Sequence, residues 1–154
     1  MSATGIEVFD TTLQKTNQWL QHIMQELGTE NRQQAYLVLR ATLHTLRDRL
    51  PLEEVAHLGA QLPMLVRGIY YEGWRPSLEV RKLHREEFLA SVLVHFAGTA
   101  LEDSDPELAI RAAFSTLARN IAPGEIDKVI HLLPKDLREF WRLPQTGTAR
   151  AQSV

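Results

Sequence analysis

Apolar residues recur along this chain at steps of three and four, the spacing that keeps side chains on one face of an α-helix. Leu13, Trp19, Leu20, Ile23, Met24 and Leu27 form the first stripe, which predicts a helix from a cap near Asp10 to a stop at Gly28. Asn31 opens a longer helix with Leu39, Leu43, Leu46 and Leu50 along one side. Pro51 breaks the chain and starts a short helix holding Val55, Leu58 and Leu62. Pro63 ends that helix and begins a fourth, reaching the region of Gly73, since proline is tolerated in a first helical turn and nowhere deeper. The second half follows the same order. Phe88, Leu89, Val92, Leu93 and Phe96 mark a helix ending near Gly98, and Asp105-Pro106 has the N-cap and N1 chemistry of a new one. Long, short and final helices are then predicted over Leu108–Ile121, Glu125–Leu133 and Pro134–Trp141. No window alternates with period two, so an all-α fold is expected.

The two halves also match residue by residue. At a constant offset of 71, Leu37, Arg40, Ala41, Thr45, Leu46, Glu54, Leu62, Pro63 and Arg67 meet Leu108, Arg111, Ala112, Thr116, Leu117, Glu125, Leu133, Pro134 and Arg138. Apolar exchanges such as Leu43/Phe114, Val55/Ile126 and Tyr70/Trp141 fill the intervals. The expected architecture is two tandem four-helix repeats, an internal duplication, packed with pseudo-twofold symmetry into one helical bundle. The first repeat spans 9–74, a linker 75–83 and the second repeat 84–143, with flexible termini at 1–8 and 144–154. A polar residue present in both copies points to scaffold, and one present in a single copy is the better candidate for function.

Composition narrows the function classes. A formal charge of −2 supplies no bulk attraction to nucleic acid or an anionic membrane, so a nucleic-acid role is unlikely on this ground. The absence of cysteine removes disulfides, thiol nucleophiles and cysteine metal sites, and fits a reducing cytoplasm. The N-terminus lacks the basic and apolar regions of a secretory signal, and no apolar run approaches the ~20 residues of a membrane span. Hydrolase, P-loop and zinc-protease motifs are missing, so catalytic residues, a metal and a cofactor are not expected.

The blocks FDTTLQKTNQWL (9–20), AYLVLRATLHTLRDRLPLEE (35–54), AQLPMLVRGIYYEGWRP (60–76) and GEIDKVIHLLPKDLREFW (124–141) resemble a bacterial family, domain of unknown function 2267. The resemblance covers nearly the whole chain. It implies an all-helical bacterial protein and brings no activity, cofactor or catalytic residue to transfer.

Five groups of residues invite a chemical reading. Arg40/Arg111 and Glu54/Glu125 recur with their spacing intact, and are expected as one Arg–Glu bridge per repeat between the long and short helices. Arg67/Arg138 are expected to serve a similar structural purpose. Glu54 and His57 make an E-x-x-H step of the kind used in di-iron bundles, but the second copy has Lys128 in place of the histidine. Arg40, His44 and Arg47 lie at i, i+4, i+7 and suit an anion; Ser115 and Ala118 replace the last two in the second copy. The segment RGIYYEGWRP (67–76) concentrates Arg67, Tyr70, Tyr71, Trp74 and Arg75, the residue types that dominate binding hot spots. It serves either as an interaction surface or as the seam between repeats. Two functions follow. The preferred one is a non-enzymatic protein-interaction module using the Tyr70–Arg75 surface, toward an unknown protein or a second copy of the chain. The alternative is an anionic-ligand binder or enzyme with a pocket at the repeat interface, lined by Arg40, His44, Arg47, Arg67, Tyr70 and Tyr71. Finally, Arg75, Arg81, Lys82, His84 and Arg85 read as a solvated basic linker.

Overall fold

The structure, a computed structural model, describes residues 3–76 and 83–141. Among these residues the regular elements are all helical. They are α1 (Glu7–Leu27), α2 (Arg32–Arg47), α3 (Leu52–Ala60), α4 (Met64–Tyr71), α5 (Arg85–Phe96), α6 (Pro106–Asn120), α7 (Pro123–Leu132) and α8 (Lys135–Arg138), the last continued by a 3-10 turn (Glu139–Trp141).

Local chemistry sets most of the boundaries. Asn31 accepts a hydrogen bond from the Gln34 N–H at 3.1 Å and Asp105 accepts one from the Glu107 N–H at 3.0 Å, so each satisfies an otherwise orphaned donor. Glu87 reaches back to the His84 N–H at 3.0 Å at the start of α5. Gly28, at φ 70°, turns the chain out of α1, and the Thr29 N–H closes onto the Met24 carbonyl at 3.0 Å. Gly73, at φ 75°, follows α4 in the same left-handed conformation. One boundary departs from expectation: α1 starts at Glu7, with Ile6 at the N-cap position. Asp10 is therefore not the cap. It lies in the first turn and accepts from the Thr4 N–H and hydroxyl at 2.9 and 2.8 Å. Glu7 and Val8, expected in a flexible terminus, belong to the helix. The linker 75–83 and the tail 144–154 lie mostly or wholly outside the described residues.

The predicted stripes face a common core. Leu39, Leu43 and Leu46 are buried on α2 and Leu50 just beyond its end, and Trp19, Leu20, Ile23 and Met24 on α1. Phe88, Val92 and Phe96 do the same on α5, and Phe114 stacks on Trp141 with ring centroids 4.0 Å apart. Each buried leucine contributes about 2 kcal/mol through removal of apolar surface from water. The halves interlock rather than abut. α1 packs on both α2 and α6, α5 packs on both α6 and α2, α2 meets α6, and α3 meets α7. The buried side chains from both halves make one hydrophobic cluster.

Two repeated polar residues explain themselves at this level. Thr45 and Thr116, both buried, donate to the carbonyls one turn back, Ala41 and Ala112, each at 2.9 Å. A hydroxyl satisfied by its own helix can sit in a core at little cost.

Candidate functional site

The polar stripe on α2 is built into the scaffold. His44 hydrogen-bonds the Ile69 carbonyl through Nε2 at 2.7 Å. Arg47, buried, donates from Nη1 to the Tyr70 carbonyl at 2.8 Å and the Glu72 carbonyl at 3.0 Å. Its Nε and Nη2 pair with the Asp48 carboxylate at 2.9 and 3.3 Å. Arg40 reaches the Glu72 side chain at 3.3 Å. Three residues one turn apart thus clamp the C-terminal end of α4, adding to the backbone bond that the Glu72 N–H makes to the Ile69 carbonyl at 3.3 Å. Burial holds the His44 pKa below its ordinary value, and the nearby Arg47 and Arg40 charges act the same way against the Ile69 hydrogen bond. Its ring is therefore neutral near pH 7 and donates through Nε2–H.

This geometry corrects the bridge expected from the repeat. Arg40 pairs with Glu72, not Glu54, because it shares the face of α2 that carries His44 and Arg47 toward α4. Arg111 pairs with Glu107 at 3.0 Å and donates to the Glu139 carbonyl at 3.1 Å, not to Glu125. Arg67 and Arg138 do perform matching tasks. Arg67 donates to the Gly59 and Leu62 carbonyls, both at 2.9 Å; Arg138 donates to those of Leu133 and His131 at 3.2 and 3.3 Å. Each folds back to satisfy the end of the short helix before it.

Glu54 and Glu125 meet each other. Glu54, on α3, is buried, and Glu125 on α7 lies close enough to act on its charge. The Oε2 atoms of both are buried without a donor among the described residues. The Glu54 pKa is pushed up to about 8, first by burial, then by Glu125, against the pull of Lys128. His57 Nδ1 lies 3.7 Å from Glu54 Oε1, so the E-x-x-H step forms one loose contact. Among the described residues, no three His, Asp or Glu side chains gather where they could hold a metal ion.

The contacts of the aromatic block lie largely within the first half of the chain. Tyr70 is 0 % exposed and donates its hydroxyl to the Val55 carbonyl at 2.8 Å, so it offers no binding surface. Burial drives its phenol pKa upward. Tyr71 packs edge-on to Tyr70, and Trp74 packs on Tyr71, both half-buried against the core. The Tyr71 hydroxyl lies where a Cβ on Gly59 would have to go. Arg75 is exposed. Beyond the linker, Arg85 is not simply solvated. It bonds Glu107 and Glu139, both at 2.6 Å, and lies with Arg111 over the Phe140 ring. Arg81 and Lys82 lie outside the described residues.

The open feature of this surface is one that the pattern of conspicuous residues missed. A predominantly apolar groove of about 890 Å³ runs between α1, α2 and α4. Leu13, Leu20, Tyr36, Leu65, Ile69 and Tyr71 line it, with Arg32, Gln33 and Glu72 among its polar residues. Thr12 fixes its wall by accepting the Leu65 N–H at 2.8 Å. Gly68 lines the groove too, and a Cβ built there meets nothing within 4 Å. Beside it, Phe9 and Met64 stand 45 % and 46 % exposed, and Ile6, Val8, Leu13 and Leu65 are also exposed. One signal in the sequence pointed here: Leu13 continues the core stripe of α1 toward an end where the bundle no longer covers it.

A family model of uncharacterized conserved proteins, DUF2267, matches residues 16–140. The chain belongs to this family. The match spans every element from the middle of α1 to the 3-10 turn, and so includes most of the groove and both glutamates. No curated protein matches the DUF2267 chain. No helix among its described residues is long and apolar enough to cross a membrane.

Proposed function

We propose that this DUF2267 protein is a non-enzymatic interaction module whose docking face is the groove between α1, α2 and α4, and that its occupant is an amphipathic helix of another protein. The observation that carries this is the joining of a preformed apolar groove to a run of exposed large apolar side chains at the end of α1 and the start of α4. Contiguous exposed apolar surface of this kind is characteristic of interaction sites. A groove walled by three helices suits the helix-in-groove mode, in which a partner inserts side chains at i, i+3 or i+4, and i+7. Arg32 and Glu72 place opposite charges in the groove, which complements a helix bearing one acidic and one basic residue. The expected anionic pocket loses its support, because Arg40, His44, Arg47 and Arg67 are each bonded within the scaffold.

The scaffold behind this face is read as a duplication with approximate twofold symmetry. Counterpart helices meet one another, α2 on α6 and α3 on α7, and α1–α6 contact is answered by α5–α2 contact. Gly68, open on its groove side, corresponds to Glu139, whose carboxylate is held by Arg85. The glycine that leaves the groove open thus has no glycine counterpart in the second half.

Gly68→Leu fills the groove from a position with free space, and Leu65→Asp makes its wall polar. Crosslinking-assisted capture with the wild-type protein is expected to recover a partner joined at the groove, and both variants are expected to lose it while keeping wild-type helicity. Equal recovery by all three proteins refutes the reading. If the only associating species is a second copy, seen as a dimer by sedimentation that Gly68→Leu dissolves, the face stands and the occupant changes. A volume within the roughly 300–1,000 Å³ of small-molecule pockets favours an apolar small ligand as the second reading; native mass spectrometry of the purified protein tests for one.

A further inference from the structure

We propose that His44 and His95 form a pH-sensitive joint that ties α4 and α5 to α2 while both rings are neutral, and that loosens as the pH falls. The two imidazoles meet where the halves of the chain pack together. His44 lies on α2 and His95 on α5, with ring centroids 6.0 Å apart in an edge-on arrangement. Each ring is also tied to a backbone carbonyl. His44 Nε2 lies 2.7 Å from the Ile69 carbonyl of α4, and His95 Nδ1 lies 2.9 Å from the Ser91 carbonyl of its own helix. A carbonyl only accepts, so these bonds put the proton of neutral His44 on Nε2 and that of neutral His95 on Nδ1. Acid adds a second proton at the remaining nitrogen of each ring and sets two positive charges side by side. His44 is only 4 % exposed, so its charge would form with little water to solvate it.

The groups around His44 add to this cost. On α2, Arg40 and Arg47 lie one turn to either side, and both act against protonation of the ring. The carboxylates in this region are already engaged: Asp48 by Arg47 at 2.9 Å, and Glu72, just past α4, by Arg40 at 3.3 Å. From α5, His95 acts in the same sense as the arginines. From α4, the Ile69 carbonyl acts in the opposite sense, because it accepts from the ring. From α1 and α6, which also pack on α2, no charged side chain among the described residues acts on the ring. Ser115 takes the place of His44 in the second half of the chain.

The direction with pH follows from linkage. Burial first, with Arg47, Arg40 and His95 behind it, holds the His44 pKa below its ordinary 6.5 against the Ile69 bond. The unfolded chain therefore binds the proton more tightly than the folded one. The joint contributes fully above pH 6.5 and is lost progressively below it. Glu54, raised to about 8, gains stability over the same fall in pH, so the joint is read as a difference between proteins that share Glu54. Ile69 and Glu72 also line the groove between α1, α2 and α4. Acid would then weaken the groove's hold on an occupant, a consequence that rests on the docking reading.

Nitrogen-15 NMR of the histidine rings in the full chain reads the joint directly. His44 is expected as the Nε2–H tautomer at about pH 7, gaining its second proton only below pH 6.5. His95→Asn keeps a donor for the Ser91 carbonyl and removes the facing ionisable ring, and is expected to move the His44 titration upward. His44→Gln keeps a donor for the Ile69 carbonyl and cannot ionise. Its thermal midpoint relative to the wild type is expected to rise by several degrees between about pH 7 and about pH 5.5. Over that interval the wild type is expected to lose more hydrogen-exchange protection at the end of α4 and along α5 than His44→Gln does. A His44 ring that titrates at or above 6.5 overturns the joint, and the wild-type spectrum decides this even if a variant fails to fold. So does a His44 titration unmoved by His95→Asn, or an equal pH dependence of the wild type and His44→Gln. None of these readouts involves an occupant of the groove, so failure of the joint and failure of the docking reading are told apart.

Discussion

At the residue scale, the least expected feature is that Arg47, absent from the second copy and so marked for function, is the most deeply engaged structural cation of the first. Its guanidinium holds two carbonyls at the end of α4 and one carboxylate. Replacing it with alanine leaves those acceptors without donors inside the protein, and breaking a buried pair of this kind costs about 3 kcal/mol. Urea denaturation of Arg47→Ala is expected to show that loss, against well under 1 kcal/mol for Arg40→Ala, whose partner Glu72 is largely exposed. Equal effects would show that the clamp is not centred on Arg47. The sequence placed Arg40, His44 and Arg47 on one helical face correctly. It carried no sign that the far side of that face would present the open end of a short helix. Uniqueness to one copy marked a difference between α4 and its counterpart, and that difference is one of helix capping as well as of function.

At the scale of elements, helix order and core stripes were legible because 3.6-residue periodicity and proline breaks are local signals. The pairings of Glu54 and Glu125 were not, because they depend on which short helix lies beside which, a distance of many residues along the chain. The groove escaped notice for a related reason: it is made by what α1, α2 and α4 leave uncovered, and by a glycine rather than by a distinctive side chain. The two helical glycines of the first half separate these effects. Gly68 opens onto free space, so Gly68→Ala is expected to stabilise α4 by up to about 1 kcal/mol through helix propensity alone. A Cβ at Gly59 runs into the Tyr71 hydroxyl, and overpacking of about 1–3 kcal/mol outweighs the same propensity gain. Gly59→Ala should therefore be the less stable of the two by denaturation, with altered Trp74 fluorescence, since Trp74 rests on Tyr71. If both variants gain stability alike, Tyr71 is not held where the structure puts it.

At the scale of the molecule, the repeat boundary in the sequence is not a boundary in the fold. α1 covers α6, α5 covers α2, and the short helices α3 and α7 meet each other. A fragment spanning 3–76 would expose on α2 the surface that α5 and α6 cover. Fragment 83–141 would likewise lose the α1 and α2 contacts of α6, and each would be close to the size at which a single core barely sustains a fold. Each fragment alone is therefore expected to show little cooperative unfolding by circular dichroism. Mixing the two is expected to restore helicity and a single transition, because the surfaces that each lacks are those that the other carries. A cooperative melt from either fragment alone would mean that the halves are separate domains that merely touch. Recovery on mixing would instead mean that the two halves complete one another, so that α2 and α6 hold the centre of one shared core.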